Sequence, residues 1–346
     1  MMRRILLLTL SIGVLIGAGA AWVLWSPNMP SFEDDRSLHI PRGSSFIDVV
    51  DSLESRQLVK HLWTFRLVAH STGWKDQMKA GHYVFSPGKS NVHLLQTLRK
   101  GLQTPVSVRI PAGSRRDRIA RSAAANMAFA PEDFLTALRD TALASELDTD
   151  TLHLFSYMLP ETYQFYWLTG ADDVVRHIKK EFDKFFEREL ADKANDRNLT
   201  RDQVVSLAAI VEWETRVDAE KSRVAGVYLN RLRKRWPLQA DPTVQYALVE
   251  LEGSRRRLLY RDYRIRHSYN TYLYRGLPPG PITNPSPSSL RATAAAEDHN
   301  FMFFVASPDG GHSFNVDLRS HNRDAAILRR YLAERRRRQA NQDTDL

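Results

Sequence analysis

The chain has 346 residues, 43% of them hydrophobic, which is enough for a packed protein with more than one domain. It contains no cysteine, and this excludes disulfides and thiolate metal sites. Lysine and arginine total 49 against 40 aspartate and glutamate residues, for a net charge of +9. Such an excess suits an anionic partner: nucleic acid, phospholipid headgroups or an acidic wall polymer.

An uncharged apolar run occupies residues 5–25, directly after Arg3 and Arg4. At about 1.5 Å per residue, a helix of this length spans about 31 Å, the thickness of a bilayer core. Trp22 and Trp25 lie where interfacial aromatic residues gather. The run predicts a transmembrane anchor at 5–25, a cytoplasmic tip at 1–4 and a linker at 26–36.

Basic residues before the apolar run and acidic residues after it (Glu33, Asp34 and Asp35) predict a cytoplasmic N-terminus. The bulk of the chain is then expected outside the plasma (inner) membrane. The alternative is a cleaved signal peptide, because Ala18-Gly19-Ala20 resembles a cleavage site. The run is long for a signal peptide, which favours an anchor. Both alternatives export the remaining chain and argue against a nucleic-acid partner.

The first exported region, residues 37–110, alternates strand and helix patterns. Residues 38–41 are typical of a short strand, and helical spacing of apolar residues follows at 46–53 and 61–69. Ser44 or Ser45 is suited to cap the first of these helices. A strand running into a turn at 79–88, a third helix at 91–99 and an alternating strand at 106–110 complete the pattern.

The middle region, residues 111–200, is predicted to be mainly helical. Helices are expected at 111–125, from Pro131 onward, and at 172–191. Phenylalanines at helical spacing in the last of these are typical of a core rather than a ligand platform. Glu161, which precedes Thr162 and Tyr163, is equally suited to line a cleft or to cap a helix.

The most informative stretch is 204–215, an apolar helix that ends in two glutamates. At 100° per residue, Val204, Leu207, Ile210 and Val211 define its buried side, and Glu214 falls near the middle of that side. Burial favours the protonated form of a carboxyl group, and a general acid must hold its proton at neutral pH. The alternative from the pattern alone is that Glu212 and Glu214 both lie in a solvated last turn.

The region 201–337 holds further patterned segments, followed by a tail at 338–346. Thr200 is expected to cap the first helix, and a second helix is predicted at 218–233. Asp241 and Pro242 are expected as the N-cap and first residue of another helix. Further predictions are a stiff Pro/Gly loop at 276–282, a helix from 287 to 297 capped by Ser286, a hairpin at 301–306 and 312–316, and a final helix from 320 to about 337.

Five ordered motifs resemble the endolytic murein transglycosylases, the MltG or YceG-like family. They are Ile-Val-Glu-Trp-Glu-Thr (210–215), Tyr-Leu-Asn-Arg-Leu (228–232), Leu-Gln-Ala-Asp-Pro-Thr-Val-Gln-Tyr (238–246), Tyr-Asn-Thr-Tyr (269–272) and Gly-Leu-Pro-Pro-Gly-Pro-Ile (276–282). The resemblance implies that Glu214 is the catalytic acid. Candidate substrate-binding residues are Glu161, Asn230, Gln239, Asp241, Thr243, Tyr246, Tyr269, Asn270, Tyr272, His312 and Asn322.

The resemblance also implies an α+β fold. We expect a single N-terminal transmembrane helix, a LysM-like βααβ module at 37–110, and a mainly helical α+β catalytic domain with a small hairpin. Whether the module binds glycan or only spaces the catalytic domain is left open. No cofactor is implied. His299, His312 and His321 lack the spacing of a helical zinc pair, so no metal is expected. Three features depart from the family pattern: Trp213 between the two glutamates, Glu161 in place of an aspartate, and the Arg255-Arg256-Arg257 segment.

The resemblance implies cleavage of peptidoglycan between N-acetylmuramic acid and N-acetylglucosamine, with a 1,6-anhydro product and action during strand synthesis. Penicillin-binding synthases are then expected partners. Two other functions remain open. The chain could be a non-catalytic wall-binding scaffold for the synthases, or a muramidase-type hydrolase that uses the same glutamate with water. Glu212 points about 160° away from Glu214 on a helix and is a poor catalytic partner.

Overall fold

The computed structural model describes residues 2–32 and 36–344, and these divide into two compact units. The first unit comprises the chain up to Val108 together with 126–129 and 163–170, and the second comprises the remainder. Helix α1, Met2–Trp25, is the one helix among the described residues that is long and apolar enough to cross a membrane. An anchor and a signal sequence both meet that criterion.

The first unit combines short strands with helices in the predicted order. Its elements are β1 (Arg36–Ile40), α2 (Phe46–Ser55), α3 (Leu62–Ser71), β2 (Gly81–Phe85), α4 (Asn91–Lys100), β3 (Val106–Arg109) and β4 (Thr162–Phe165). Strands β1 and β2 are antiparallel, with Arg36 opposite Phe85 and Ile40 opposite Gly81. Strand β3 pairs with β4, a segment distant in sequence. The likeness of the 37–110 module to LysM stays a prediction.

Capping and a buried polar cluster stabilise the first unit. Ser45 forms a reciprocal capping box with Asp48 at the start of α2. Of the two predicted caps, Ser44 and Ser45, it is therefore Ser45 that caps the helix. The buried Asn28 donates to the side chain of Asn91 at 2.7 Å, and Asn91 donates to the Val23 carbonyl at 2.9 Å. These bonds hold the end of α1 against the first unit's core.

The second unit is mainly helical. Its elements are α5 (Arg116–Ala124), α6 (Pro131–Arg139), α7 (Thr141–Glu146), α8 (Ala171–Glu189), α9 (Ala191–Asp196), α10 (Arg201–Glu214), α11 (Asp218–Arg233), α12 (Asp241–Glu252), α13 (Pro287–Ala294), β5 (Phe303–Ala306), β6 (His312–Asn315) and α14 (Leu318–Thr344). The chain is therefore of mixed helix and strand content, as predicted.

Three predicted helix boundaries were wrong. Helix α5 begins at Arg116 rather than at 111, because Asn284 holds the preceding backbone: its side chain donates to the Pro111 carbonyl and its carbonyl accepts from Gly113 N. Helix α13 ends before Glu297, whose N–H donates to the Ser222 carbonyl instead. Helix α14 starts two residues early and runs to Thr344, beyond the predicted end near 337.

Helix α10 lies at the centre of the second unit. Thr200 and Gln203 form a capping box at its start, which confirms the predicted cap. Every residue from Val204 to Val211 is buried, so the helix is enclosed on all sides rather than on one face. Val204, Val205 and Ala208 pack into a core with the α8 phenylalanines. Leu207, Ile210 and Val211 pack into a second core with residues of α11 and α12.

The predicted hairpin is confirmed by β5 and β6, which pair antiparallel from Phe303 opposite Asn315 to Ala306 opposite His312. Its turn contains Gly310 at φ 93° and Gly311 at φ 67°. A side chain at Gly311 would place Cβ 2.3 Å from Glu220 Oε1. Glycine is therefore required there both for the backbone conformation and for the close approach of α11.

Candidate active site

Glu214 is the last residue of α10, and its carboxyl group is held from the neighbouring helix α11. The hydroxyl of the buried Tyr228 donates to Glu214 Oε1 at 2.5 Å. Burial raises the pKa of Glu214 to about 7; the Tyr228 hydrogen bond and the Arg231 charge oppose this rise, and the Asp241 charge adds to it. Near neutral pH the carboxyl group thus exists in both protonated and ionised forms, as a group that gives and later takes a proton requires.

Two pockets meet at Glu214 and Asp241, since both side chains line each of them. We call the first the hairpin lobe; it has a volume of about 370 Å³ and is lined by Glu214, Tyr228, Arg231, Gln239, Asp241, Tyr272, Phe303, Phe304, Val305, Ala306, His312, Leu318 and His321. We call the second the arginine lobe; it has a volume of about 420 Å³ and is lined by Trp213, Glu214, Asp241, Pro242, Gln245, Arg255, Arg257, Leu258 and Tyr263.

A larger cavity of about 980 Å³ lies elsewhere on the second unit, lined by residues of α9, α11 and the 276–282 loop. None of the predicted site residues lines it. One of its cations, Arg197, is paired with Asp298 at 3.0 Å. The predicted site residues therefore gather around Glu214 rather than around this larger cavity.

Asp241 was wrongly predicted as an N-cap. Helix α12 has Ala240 at that position, and the Asp241 carboxylate does not cap the helix. It accepts instead from the Tyr272 hydroxyl at 2.6 Å and from the Tyr263 hydroxyl at 3.3 Å. Burial, followed by the Asp241 hydrogen bond and charge, raises the pKa of Tyr272, so this hydroxyl remains a donor. Asp241 is thereby directed to the junction of the two lobes.

Arg231 holds the wall of the hairpin lobe together. Its buried guanidinium donates to the carbonyls of Leu238 and Met302, the residues before Gln239 and before β5. Gln239 has a positive φ of 49°, its N–H donates to the Thr271 carbonyl, and its exposed side chain lines the lobe. One cation therefore positions both the Gln239 segment and the hairpin around Glu214.

His312 and His321 both line the hairpin lobe. His312 Nδ1 lies 2.7 Å from Glu220 Oε2, and its backbone N–H donates to Glu220 Oε1 at 2.8 Å, so Glu220 orients the ring. His321 stacks on Phe303, and its buried Nδ1 has no hydrogen-bond partner among the described residues. Burial, with the Arg231 charge, lowers the pKa of His321 and favours the neutral ring.

Glu212 lies away from both lobes. Its Oε2 accepts from the hydroxyls of Ser286 and Ser289, each at 2.5 Å, and from Ser286 N at 3.1 Å. Lys221 Nζ lies 3.7 Å from the same oxygen. Glu212 thus binds the start of α13, where Ser286 is the N-cap with Pro287 after it, as predicted.

The predicted substrate residues separate into two groups. Gln239, Asp241, Tyr272 and His312 surround Glu214, whereas the others do not line either lobe. Glu161 and Asn322 are exposed elsewhere. The remaining five are buried: Asn230, Thr243, Tyr246, Tyr269 and Asn270. Their direct contact with substrate stays a prediction.

The buried members of that list shape the segments that carry the lobes. Asn230 donates to the carbonyls of His299 and Phe301 before the hairpin. Thr243 hydrogen bonds the Thr271 hydroxyl at 2.8 Å, and Tyr246 stacks on Tyr269 with ring centroids 4.5 Å apart. Asn270 accepts from Tyr272 N at 3.0 Å and thus fixes the backbone of a lobe residue.

Sequence reasoning missed Tyr228, Tyr263, Gln245 and the hairpin phenylalanines as lobe residues. Tyr228 opens the Tyr-Leu-Asn-Arg-Leu motif, which was a usable signal. Within residues 2–32 and 36–344, no group of three or more His, Asp or Glu side chains is arranged to hold a metal ion. The expectation that no metal or cofactor takes part stays a prediction.

Comparison with known proteins places this site in a family. An endolytic murein transglycosylase of Bacillus subtilis is 27% identical over 303 residues, covering 83% of each chain. Another, of Streptococcus pneumoniae, is 27% identical over 317 residues, covering 83% of this chain but 57% of its own length. The crystal structure of a YceG-like protein of Listeria monocytogenes aligns with a TM-score of 0.59 at 25% identity, covering 84% of this chain and 99% of that one.

The family model of YceG-like proteins matches residues 38–327, which include Glu214, both lobes and most of the first unit. The match spans far more than half of the chain. The protein therefore belongs to the YceG-like family.

Proposed function

We propose that the protein is a membrane-anchored endolytic lytic transglycosylase of peptidoglycan. It cuts the β-1,4 bond between N-acetylmuramic acid and N-acetylglucosamine within nascent strands, leaves a 1,6-anhydro-muramic end and so terminates strand elongation. The observation that carries the proposal is Glu214, a carboxyl group with a pKa near 7 at the junction of two lobes. Relatives named endolytic murein transglycosylase support the reaction class.

In the first step Glu214 gives its proton to the bridging glycosidic oxygen. Tyr228 donates to Oε1, so the proton of the neutral acid resides on Oε2. As the bond to the departing glucosamine breaks, positive charge develops at C1 of the muramic residue. The muramic N-acetyl group assists at this carbon, and Asp241, held by Tyr272 and Tyr263, supplies negative charge at the junction of the lobes.

In the second step Glu214, now a carboxylate, removes the proton from the 6-hydroxyl of the same muramic residue. The 6-oxygen bonds to C1, and Glu214 is again a neutral acid. No water enters the product, so the two product strands together contain the same atoms as the original strand. A pKa near the working pH suits a single group that acts as acid and then as base.

The two lobes support cutting within a strand rather than at its end. Each has room for sugar residues, about 370 and 420 Å³, and each is lined by Glu214 and Asp241. Phe303 and Phe304 in the hairpin lobe and Trp213 in the arginine lobe offer apolar surface for sugar rings. A strand occupying both lobes places an internal bond at Glu214.

One observation favours a second candidate, a hydrolase. Asp241 is a carboxylate beside Glu214, and hydrolases use a second carboxylate to activate water. The two reactions differ in product mass, because an anhydro end is lighter than a hydrated end by one water.

The deciding experiment is mass spectrometry of glycan strands treated with full-length protein in detergent. We expect internal cuts with anhydro ends, lost in Glu214→Gln and retained in Glu212→Gln, whose residue lies outside both lobes. Hydrated ends that need Glu214 would establish the hydrolase instead. Binding without cutting by the unaltered protein would favour a wall-binding scaffold.

The anchor and its orientation form a further part of the proposal, supported by the length and apolar character of α1. We place the N-terminus in the cytoplasm and the second unit outside. Because the chain has no cysteine, single cysteines report topology cleanly. An impermeant maleimide should label Ser145→Cys in intact spheroplasts and Met2→Cys only after lysis. The reverse pattern would refute this orientation.

Cutting a nascent strand requires a synthase that is making it, so penicillin-binding synthases are the proposed partners. Crosslinking in membranes, followed by detection of a synthase adduct, checks this. The first unit is proposed as a glycan-binding module, and this predicts that its loss weakens retention of the protein on purified wall polymer.

A further inference from the structure

The three arginines of the Arg255-Arg256-Arg257 segment have two different environments. Arg256 is fully paired: its guanidinium donates to both carboxylate oxygens of Glu252, at 2.8 and 2.9 Å, and of Asp262, at 2.7 and 2.9 Å. These bonds fix the segment to the end of α12. They also lower the pKa of Asp262 to about 2. Arg256 is therefore a structural residue.

The two flanking arginines line the arginine lobe beside Glu214. The guanidinium of Arg255 stacks over the Trp213 ring at 4.9 Å, which orients it without using its N–H donors. Among the described residues, neither Arg255 nor Arg257 forms an ion pair. Two exposed cations, whose N–H donors have no partner within residues 2–32 and 36–344, thus line the same lobe as Glu214.

Gln245 adds a third unused donor to the same lobe. The residue is 6% exposed, and its Nε2 has no hydrogen-bond partner among the described residues. Buried amide groups are nearly always paired, because leaving one unpaired is costly. A buried donor without a partner, beside two free guanidinium groups, indicates that an acceptor with negative charge enters the lobe.

We propose that the arginine lobe binds a carboxylate of the peptide carried by the muramic residue, so that the enzyme prefers strands bearing peptides. This rests on the proposed function. The lactyl group that carries the peptide is attached to C3 of the same sugar whose C1 bond is broken at Glu214. A peptide carboxylate is therefore close to the cut bond, and guanidinium groups pair with carboxylates by two parallel hydrogen bonds.

The test compares two substrates: strands with intact, uncrosslinked peptides, and the same strands after an amidase has removed the peptides and the lactyl carboxylates exposed by this hydrolysis have been converted to neutral methyl amides. Full-length protein in detergent is assayed for kcat/KM on both. We expect the unaltered protein to favour the peptide-bearing strands by about threefold to tenfold. The variant Arg255→Gln/Arg257→Gln should lose this preference through a lower rate on peptide-bearing strands only. Arg118→Gln, an exposed arginine outside both lobes, is the matched charge control.

Gln245→Met separates a ligand-binding role from a structural role. If the amide serves the peptide, the variant loses preference, and its Tm is not lowered because an unpaired buried donor has been removed. A lowered Tm with unchanged preference would assign Gln245 to folding and contradict the proposal.

The outcomes also separate this proposal from the enzyme activity. Equal rates on both substrates, or a preference that survives in Arg255→Gln/Arg257→Gln, would overturn the peptide-binding role and leave the transglycosylase intact. If Arg118→Gln also lost the preference for peptide-bearing strands, the preference would come from net charge, and the peptide-binding role would be overturned as well. Failure of the unaltered protein to cut either substrate would overturn the proposed function itself.

Discussion

Glu212 and Glu214 lie two residues apart at the end of α10, yet their surroundings give them opposite roles. Glu212 Oε2 accepts from Ser286 and Ser289 at the start of α13, with Lys221 Nζ 3.7 Å away, so this oxygen is bound within the fold. Among the described residues, Glu214 accepts one hydrogen bond, from Tyr228, and its side chain lines both lobes. Residue type alone does not set the pKa of a carboxyl group; burial with few hydrogen-bond donors raises it.

The largest expected effect is on turnover. Glu214→Gln keeps the Tyr228 contact but cannot transfer a proton, so we expect a loss of about 10³-fold or more in kcat. Glu212→Gln should stay within about threefold of the unaltered protein, because it touches neither lobe. Rates of strand cutting measure both. A Glu212→Gln loss as deep as that of Glu214→Gln would break the comparison.

For stability we expect the reverse: loss of Glu212 should be more damaging than loss of Glu214. Glu212→Ala leaves the hydroxyls of Ser286 and Ser289 without this acceptor, whereas Lys221 keeps Asp218 at 2.8 Å; the loss costs about 3 kcal/mol. We expect the Tm of the second unit to fall by about 10 °C. Scanning calorimetry in detergent checks this. Glu187→Ala, an exposed site on α8, is the control and should leave the Tm unchanged.

A pH-dependent stability difference is expected at Glu214. Its pKa is raised from 4.5 to about 7 on folding, so the folded protein binds this proton more tightly than the unfolded chain. Stability is therefore lost as pH rises from about 4.5 to about 7, up to about 3 kcal/mol. Glu214→Gln removes this loss.

The Tm of Glu214→Gln should accordingly exceed that of the unaltered protein at pH 8, and the gap should close by pH 4.5. Comparing the two proteins at each pH cancels the titration of other groups. A Tm difference that does not change with pH would show that burial does not raise the pKa of Glu214.

The smallest expected effects test which neighbouring groups set the pKa of Glu214. The Tyr228 hydrogen bond lowers the pKa of Glu214, and the Asp241 charge raises it. Because the protonated form starts the reaction, kcat/KM falls as pH rises through this pKa. Tyr228→Phe should move the fall to higher pH, and Asp241→Asn should move it to lower pH, each by about one unit or less. Shifts in the same direction would contradict these assignments.

A feature of the site could be predicted when it depends on residues that are close together in the sequence. The 100° period separated Glu214 from Glu212, and the Thr200 and Ser286 caps were correct, because each depends on neighbours within a few residues. The expectation of a single buried face on α10 was wrong: the helix is buried on all sides, between two cores. Periodicity cannot show how many partners surround a helix.

Asp241 shows the limit most clearly. Its position before Pro242 matched a helix cap, yet its carboxylate bonds Tyr272, 31 residues away. Thr243 and Asn270 belong to the same motifs but are buried, whereas Glu161 and Asn322 are exposed and line neither lobe. A motif identifies residues that matter together; it does not say which of them face the ligand.

The sequence by itself determined the apolar first helix and the order of the main elements, because hydrophobic period, capping residues and turn residues act locally. The family motifs, together with the helical period, led to the prediction of Glu214 as the catalytic acid. Only the tertiary structure decided what surrounds Glu214. Tyr228, Asp241 and Arg231 come from different segments, and their distances to the carboxyl group, which set its pKa, exist only once α10, α11, α12 and the hairpin have packed.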